Sequence, residues 1–196
     1  MASVTDLVSS QLGPEGIQAI SDRLGIDPGT AQRAVAGALP LLTGALARNA
    51  AQPEGAAALH NAVSRDHDGS LLDRAADFLG MGDTGPGAAI LGHIFGGSTH
   101  HASAGLSQAT GLDAGKAGQL LAMLAPLVLS ALGRLNRQKG LDSGGLADVL
   151  GSSHAQSGSC IGGILTQIFD RDGDGSAMDE IAGMGGDLLG GLFGKR

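Results

Sequence analysis

Two stretches of this chain, 86 residues apart, follow one pattern. Ile20–Gln52 reads ISDRLGIDPGTAQRAVAGALPLLTGALARNAAQ, and Leu106–Gln138 reads LSQATGLDAGKAGQLLAMLAPLVLSALGRLNRQ. Gly25 aligns with Gly111, Asp27 with Asp113, Gly29 with Gly115 and Pro40 with Pro126; Leu46, Arg48 and Gln52 align with Leu132, Arg134 and Gln138. Self-similarity at a fixed spacing means one supersecondary unit used twice. Each unit has a physical grammar. A helix ends near Gly25 or Gly111, a residue suited to the left-handed position after a helix. Asp27 or Asp113 stands where an N-cap belongs, and Pro28 follows at the first helical position. A long helix then carries Val35, Leu39, Leu42 and Leu46 at spacings of four, three and four, which is one buried stripe. In the second copy Leu121, Leu124, Val128 and Leu132 hold that stripe, and Leu120, Leu127 and Leu135 widen it. A helix apolar nearly all round is surrounded by protein, so the spacing predicts a central helix over Gly118–Arg137. Pro40 and Pro126 fall inside these helices and are expected to bend or break them.

Composition agrees with an all-α chain. Among 196 residues there are 35 Gly, four Phe and no Tyr or Trp, against the β-branched and aromatic residues that strands favour. A hydrophobic fraction of 42% with 16% charged residues excludes ordinary disorder. The single cysteine, Cys160, excludes a disulfide scaffold. A net charge of −7 disfavours bulk nucleic-acid binding, which rests on neutralising phosphates. The N-terminal residues carry neither a basic nor an apolar leader region, so a cytoplasmic protein is expected. The longest apolar run, Leu120–Leu132, would span about 20 Å as a helix, short of the ~30 Å a bilayer requires. No transmembrane segment is therefore expected.

Shorter helices are expected over Val4–Leu12, Glu15–Leu24, Pro53 to about Val63, Ser70–Leu79, Ala88–Phe95, His100–Thr110 and Gly144–Leu150. MGDTGPG reads as a loop and Gly151–Gly158 as a linker. Gly162–Phe169 and Met178–Phe193 read as further short helices. The whole is an all-α, multi-helical bundle of about ten helices with an internal duplication. Its domain spans 1–150, with repeat units about 4–64 and 88–150, and a C-terminal extension covers 151–196.

The sharpest chemical signal lies in that extension: Phe169-Asp170-Arg171-Asp172-Gly173-Asp174-Gly175-Ser176. Three carboxylates at alternate positions repel one another without a cation, and oxygen-only ligands suit Ca²⁺. Asp170, Asp172 and Asp174 occupy positions one, three and five of an EF-hand-like loop, Gly175 the turn at six, and the Ser176 carbonyl the ligand at seven. Position twelve is Ile181, where a bidentate carboxylate belongs; Asp179 and Glu180 come one or two residues early. The competing reading is a solvated acidic turn capping the next helix. A fainter echo, Arg65-Asp66-His67-Asp68-Gly69-Ser70, reads as a capped turn.

Other chemistry is thinly represented. The six histidines, His60, His67, His93, His100, His101 and His154, show no zinc-ligand spacing and read as surface or loop residues. There is no GxSxG elbow and no phosphate-binding GxxxxGK[ST] loop. LGIDPGTAQRAV has the outline of a helix-turn-helix, but it offers Arg33 and Arg48, with Lys116, Arg134, Arg137 and Lys139 in the second copy. That is a meagre basic surface for reading DNA. The C-terminal IAGMGGDLLGGLFGKR is apolar on one side and reads as docking on protein more readily than on a membrane.

The segments GLDAGKAGQLLAMLAPLVLSALG, GLDSGGLADVLG, LPLLTGALARNA and ILTQIFDRDGDGS resemble the bacterial YidB-like family, a domain of unknown function. The similarity runs from Asp6 to Gly175. It implies an all-helical, duplicated fold and carries no catalytic residue over. The expectation is an uncharacterised non-enzymatic helical protein that acts as an interaction or structural module, with an unknown protein partner or through self-association. Calcium binding at Asp170, Asp172, Asp174, Ser176 and Asp179 is the alternative. A nucleic-acid binder is a further alternative, and a metal-dependent hydrolase using the Asp cluster is the enzyme reading.

Overall fold

The computed structural model describes residues 3–67, 69–82 and 84–153, all within the first of the chain's two units, Met1–Gln156. Seven α-helices run to Lys139: α1 (Val4–Leu24), α2 (Pro28–Ala50), α3 (Pro53–Asp66), α4 (Ala75–Met81), α5 (Gly85–Phe95), α6 (Thr99–Thr110) and α7 (Ala114–Lys139). Short 3-10 turns occupy Ser70–Arg74 and Gly96–Ser98, and a further helix, α8, covers 143–153. The described residues thus form helices and short joints with no strand, and fewer α-helices than the ten expected for the whole chain. Cys160, His154 and the expected metal ligands Asp170, Asp172, Asp174, Ser176 and Asp179 lie outside the described residues, as do the short helices expected over Gly162–Phe169 and Met178–Phe193.

α7 is the centre. α1, α2, α3, α5, α6 and the Ser70–Arg74 turn all pack on it. Its leucines at 120, 121, 124, 127, 132 and 135, with Val128, are buried, as are Val35, Leu39, Leu42 and Leu46 of α2. Both predicted stripes therefore enter one continuous core. α7 is the one described helix long and apolar enough to cross a bilayer, and 83% of its apolar window is buried inside the bundle.

Helix boundaries follow local chemistry. Ser3 and Asp6 form a reciprocal capping box at α1; the Ser3 backbone N–H, then its hydroxyl, hold the Asp6 carboxyl below its usual range. Within α1, Gly13 (φ 52°, ψ −172°) separates two helical segments: Pro14 disfavours the α conformation at the residue before it, and glycine admits the positive φ taken there.

Three joints then repeat one geometry. Gly25, Gly111 and Gly140 end α1, α6 and α7 in the left-handed conformation. Each is followed by an aliphatic residue (Ile26, Leu112, Leu141) and then an aspartate whose carboxylate accepts N–H groups of the next helix: Asp27 from Thr30, Asp113 from Gly115 and Lys116, Asp142 from Gly145. At the first two joints a serine one turn earlier donates its hydroxyl to the aliphatic residue's carbonyl, Ser21 to Ile26 and Ser107 to Leu112, both at 2.6 Å.

Several expectations need correction. Pro40 and Pro126 are buried, and both helices run unbroken through them. A proline leaves the carbonyl four residues back without its N–H. For Pro126 that carbonyl belongs to Ala122, and Gly87 of α5 packs directly against it: a Cβ on Gly87 would overlap the oxygen and lie 2.6 Å from the carbonyl carbon. For Pro40 it belongs to Ala36, which is solvent-exposed. Ser70–Leu79 is not one α-helix. Arg74 (φ −127°, ψ 30°) divides it into a 3-10 turn and α4, because the Gly69 carbonyl accepts both the Leu72 N–H and the Arg134 guanidinium. The MGDTGPG loop is shorter than expected, since Met81 closes α4 and α5 starts at Gly85 with Pro86 in its first turn. The linker does not begin at Gly151. Helix α8 runs to 153, because Leu146, Leu150 and Ser153 are buried along one side of it.

Candidate functional site

A cleft of about 690 Å³ opens between α3 and α5. Its floor is apolar: Leu46 from α2, Leu129 from α7, Leu59 from α3, and Ile90 and Ile94 from α5. Its polar rim comprises Arg48, Asn49, Gln52, Asp66, His67 and His93.

The cleft is built by contacts that hold its walls apart and in place. Asn49, at the end of α2, serves both walls. Its side-chain amide donates to the Ile94 carbonyl at 2.9 Å and to the His93 carbonyl at 3.4 Å, closing the C-terminal end of α5. Its own carbonyl receives Gly55 at the start of α3, where an added Cβ would overlap the oxygen. At the far end of α3 the His67 carbonyl sits against Gly133 of α7, again with no room for a Cβ. Between these pins, His60 Nε2 lies 3.1 Å from the Leu141 carbonyl. A carbonyl only accepts, so Nε2 carries the proton. Asn136 Nδ2 donates to the Ser64 hydroxyl at 3.1 Å, while Asn136 Oδ1 is buried without a partner among the described residues.

Electrostatics divide the equivalent arginines. Arg134 is consumed in the fold: it donates to the Gly69 carbonyl at 2.9 Å and pairs with Asp73 at 2.5 Å. Arg48, its counterpart 86 residues earlier, stands exposed at the cleft rim with no ion pair among the described residues. Burial holds the half-buried His67 imidazole below its ordinary pKa, partly opposed by Asp66. A half-buried neutral imidazole, a guanidinium and side-chain amides over an aliphatic floor can hold the polar head and apolar body of a small molecule.

The residues singled out from sequence fall in several places. The expected calcium ligands lie beyond the described region, and the echo loop is described apart from Asp68. His67, read as a loop residue, lines the cleft, and His60 ties α3 to the third joint. His93 is exposed at the rim; His100 and His101 are exposed on α6, ring edge to ring face, 6.2 Å apart. Among the cations of the helix-turn-helix reading, Lys116 donates to the Gly25 carbonyl and Arg33 to the Thr30 hydroxyl, so both are engaged in joint structure. Sequence reasoning missed Asn49, Gly55, Gly87 and Gly133. The available signal was weak: a polar residue at the end of an apolar helix, and glycines where a helix former was free to stand.

A second cleft of about 650 Å³ lies where α1 bends over the start of α2, lined by uncharged residues including Leu12, Pro14, Gln18, Gln32 and Val35.

The description "Bacterial protein of unknown function (DUF937)" belongs to the family model that matches residues 6–135. That span includes the first two joints and the aliphatic floor of the α3–α5 cleft. No curated protein and no solved structure matches the chain. The match extends over well more than half of the sequence and takes in both leucine-striped helices, and the chain therefore belongs to DUF937, the bacterial family of unknown function to which its YidB-like resemblance pointed.

Proposed function

We propose that this protein is a non-enzymatic binding module whose α3–α5 cleft takes a small amphipathic molecule, its apolar body on the aliphatic floor and its polar head toward Arg48, Asn49 and His93. The observation that carries this reading is a cleft of about 690 Å³ with an apolar floor and a few convergent polar groups. Small-molecule pockets have about 300–1,000 Å³ and that polarity pattern. The size of the cleft favours a small molecule over a partner protein, whose stable interface takes about 800 Å² from each side. NMR titration with decanoate and with decanol tests it. The methyl groups of Leu46, Leu59, Ile94 and Leu129 are expected to shift with either probe, and an Ala62→Trp variant, which fills the cleft, to abolish the shifts. Floor methyls unmoved by millimolar probe, or shifts confined to the cleft beside Pro14, would overturn the assignment.

Two further readings rest on sequence spacing. Asp170, Asp172 and Asp174 support Ca²⁺ binding in the C-terminal extension. Calorimetry should give Ca²⁺ heat that an Asp172→Asn variant loses, and absence of heat in the parent chain would end that reading. The matched hydrogen bonds at Ser21–Ile26 and Ser107–Leu112, at the same 86-residue offset, support descent of the two units from one duplicated ancestor.

A further inference from the structure

The two walls of the cleft differ in how they are held. α3 buries only Ala56 and Val63, whereas α7 is buried along most of its length. α3 packs on α2 and α7, and Ala57, Asn61 and Arg65 on its other side are exposed. Its apolar face is narrow, Ala56, Leu59 and Val63, and is supplemented by four localised attachments: Gly55 on the Asn49 carbonyl, His60 on the Leu141 carbonyl, Ser64 on Asn136, and the His67 carbonyl on Gly133. Such contacts act over short distances and are lost together once the helix moves. A segment with little buried apolar surface opens at a lower free energy than the core around it.

From this we infer that α3 is the lid of the cleft. It detaches as a unit between the Ala51–Gln52 turn and Gly69, which Arg134 keeps on α7, while α1, α2, α5 and α7 stay folded, uncovering Leu46 and Leu129 for ligand entry. Its role as a lid rests on the binding reading above; its opening does not.

Hydrogen exchange with mass spectrometry, on the full chain without ligand, reads the opening directly. Amides of residues 57–66 are expected to exchange at least about tenfold faster than those at the centre of α7. His60→Ala and, separately, Ser64→Ala each remove one attachment and are expected to speed α3 by roughly two- to tenfold, the effect of one hydrogen bond, with α7 unchanged. Exchange of α3 at the rate of α7, acceleration of every helix alike, or acceleration of none would overturn the opening. Adding decanoate then tests the coupling: it is expected to slow α3 exchange, and binding without that slowing would overturn the lid. Absence of decanoate binding with α3 opening intact would overturn the binding reading and the lid role with it, leaving the opening itself in place.

Discussion

Gly87 and Gly92 belong to the same helix and should respond to the same substitution with opposite signs. An Ala Cβ at position 87 would lie 2.6 Å from the Ala122 carbonyl carbon, and nonbonded carbons rest at about 3.5–4.0 Å. α5 must therefore retreat from α7 by about 1 Å. The obstacle is backbone in the middle of the core helix, so no rotamer change relieves it. A gap of that size forfeits roughly a quarter to a half of each dispersion contact across it, including those of Leu91 and Ile94, which are 3% and 7% exposed. Overpacking of this kind costs about 1–3 kcal/mol, and an immovable carbonyl puts Gly87→Ala near the upper end. Alanine's helix preference returns at most about 1 kcal/mol, leaving a net loss of about 2 kcal/mol. Gly92 is exposed, with nothing within 4 Å of a new Cβ. Gly92→Ala should gain about 0.5–1 kcal/mol from propensity alone. Urea unfolding followed by circular dichroism at 222 nm measures both. In thermal melts the first variant should fall by about 4–8 °C and the second rise by about 1–4 °C. A Gly87→Ala protein as stable as the parent, or a matching shift in both variants, would refute the close-approach argument.

Other expectations follow from the joints and the cleft. Ser21→Ala and Ser107→Ala each remove a 2.6 Å hydroxyl bond and should cost about 1 kcal/mol each; chemical denaturation would expose any inequality between the two joints. Asp113→Ala removes the N-cap of the core helix and should cost about 1 kcal/mol, with an Asn variant recovering most of it in the same assay. His67 has a lowered pKa through burial, so the unfolded chain binds its proton more readily than the folded one. Its contribution is fully present above the ordinary imidazole pKa of about 6.5 and is lost as pH falls from there toward the lowered folded value. His67→Gln should flatten stability against pH in that window, and a variant with the parent's slope would assign the slope to another group.

Much of the helical frame was legible because its signals are local. Gly25-Ile26-Asp27 and Gly111-Leu112-Asp113 carry their own stop and start chemistry, and the leucine spacing of α2 and α7 requires only a helical period to interpret. The third joint, Gly140-Leu141-Asp142, has that chemistry too, but Asn136 stands where a serine stands in the others, and the longer alignment hides it. That the prolines break neither helix was not legible, since it depends on contacts far along the chain: Gly87 packs against the carbonyl that Pro126 leaves without an N–H. The cleft was not legible at all. Arg48 and Arg134 occupy equivalent positions, and only packing shows that one is spent on Gly69 and Asp73 while the other faces solvent. Asn49 acts through two helices that follow it by several to more than forty residues, and no periodicity marks such a residue.

The three glycine–aliphatic–aspartate joints also bear on how so bland a chain avoids mistakes. With alanine, glycine and leucine filling about half of the described helical positions, a helix shifted by one turn would meet a similar neighbour, and energetic discrimination by side-chain shape would be small. A joint that fixes the last residue of one helix and the first of the next removes that ambiguity locally, before tertiary packing is reached. Mis-threading is then blocked by punctuation, and the interior is left free to be monotonous.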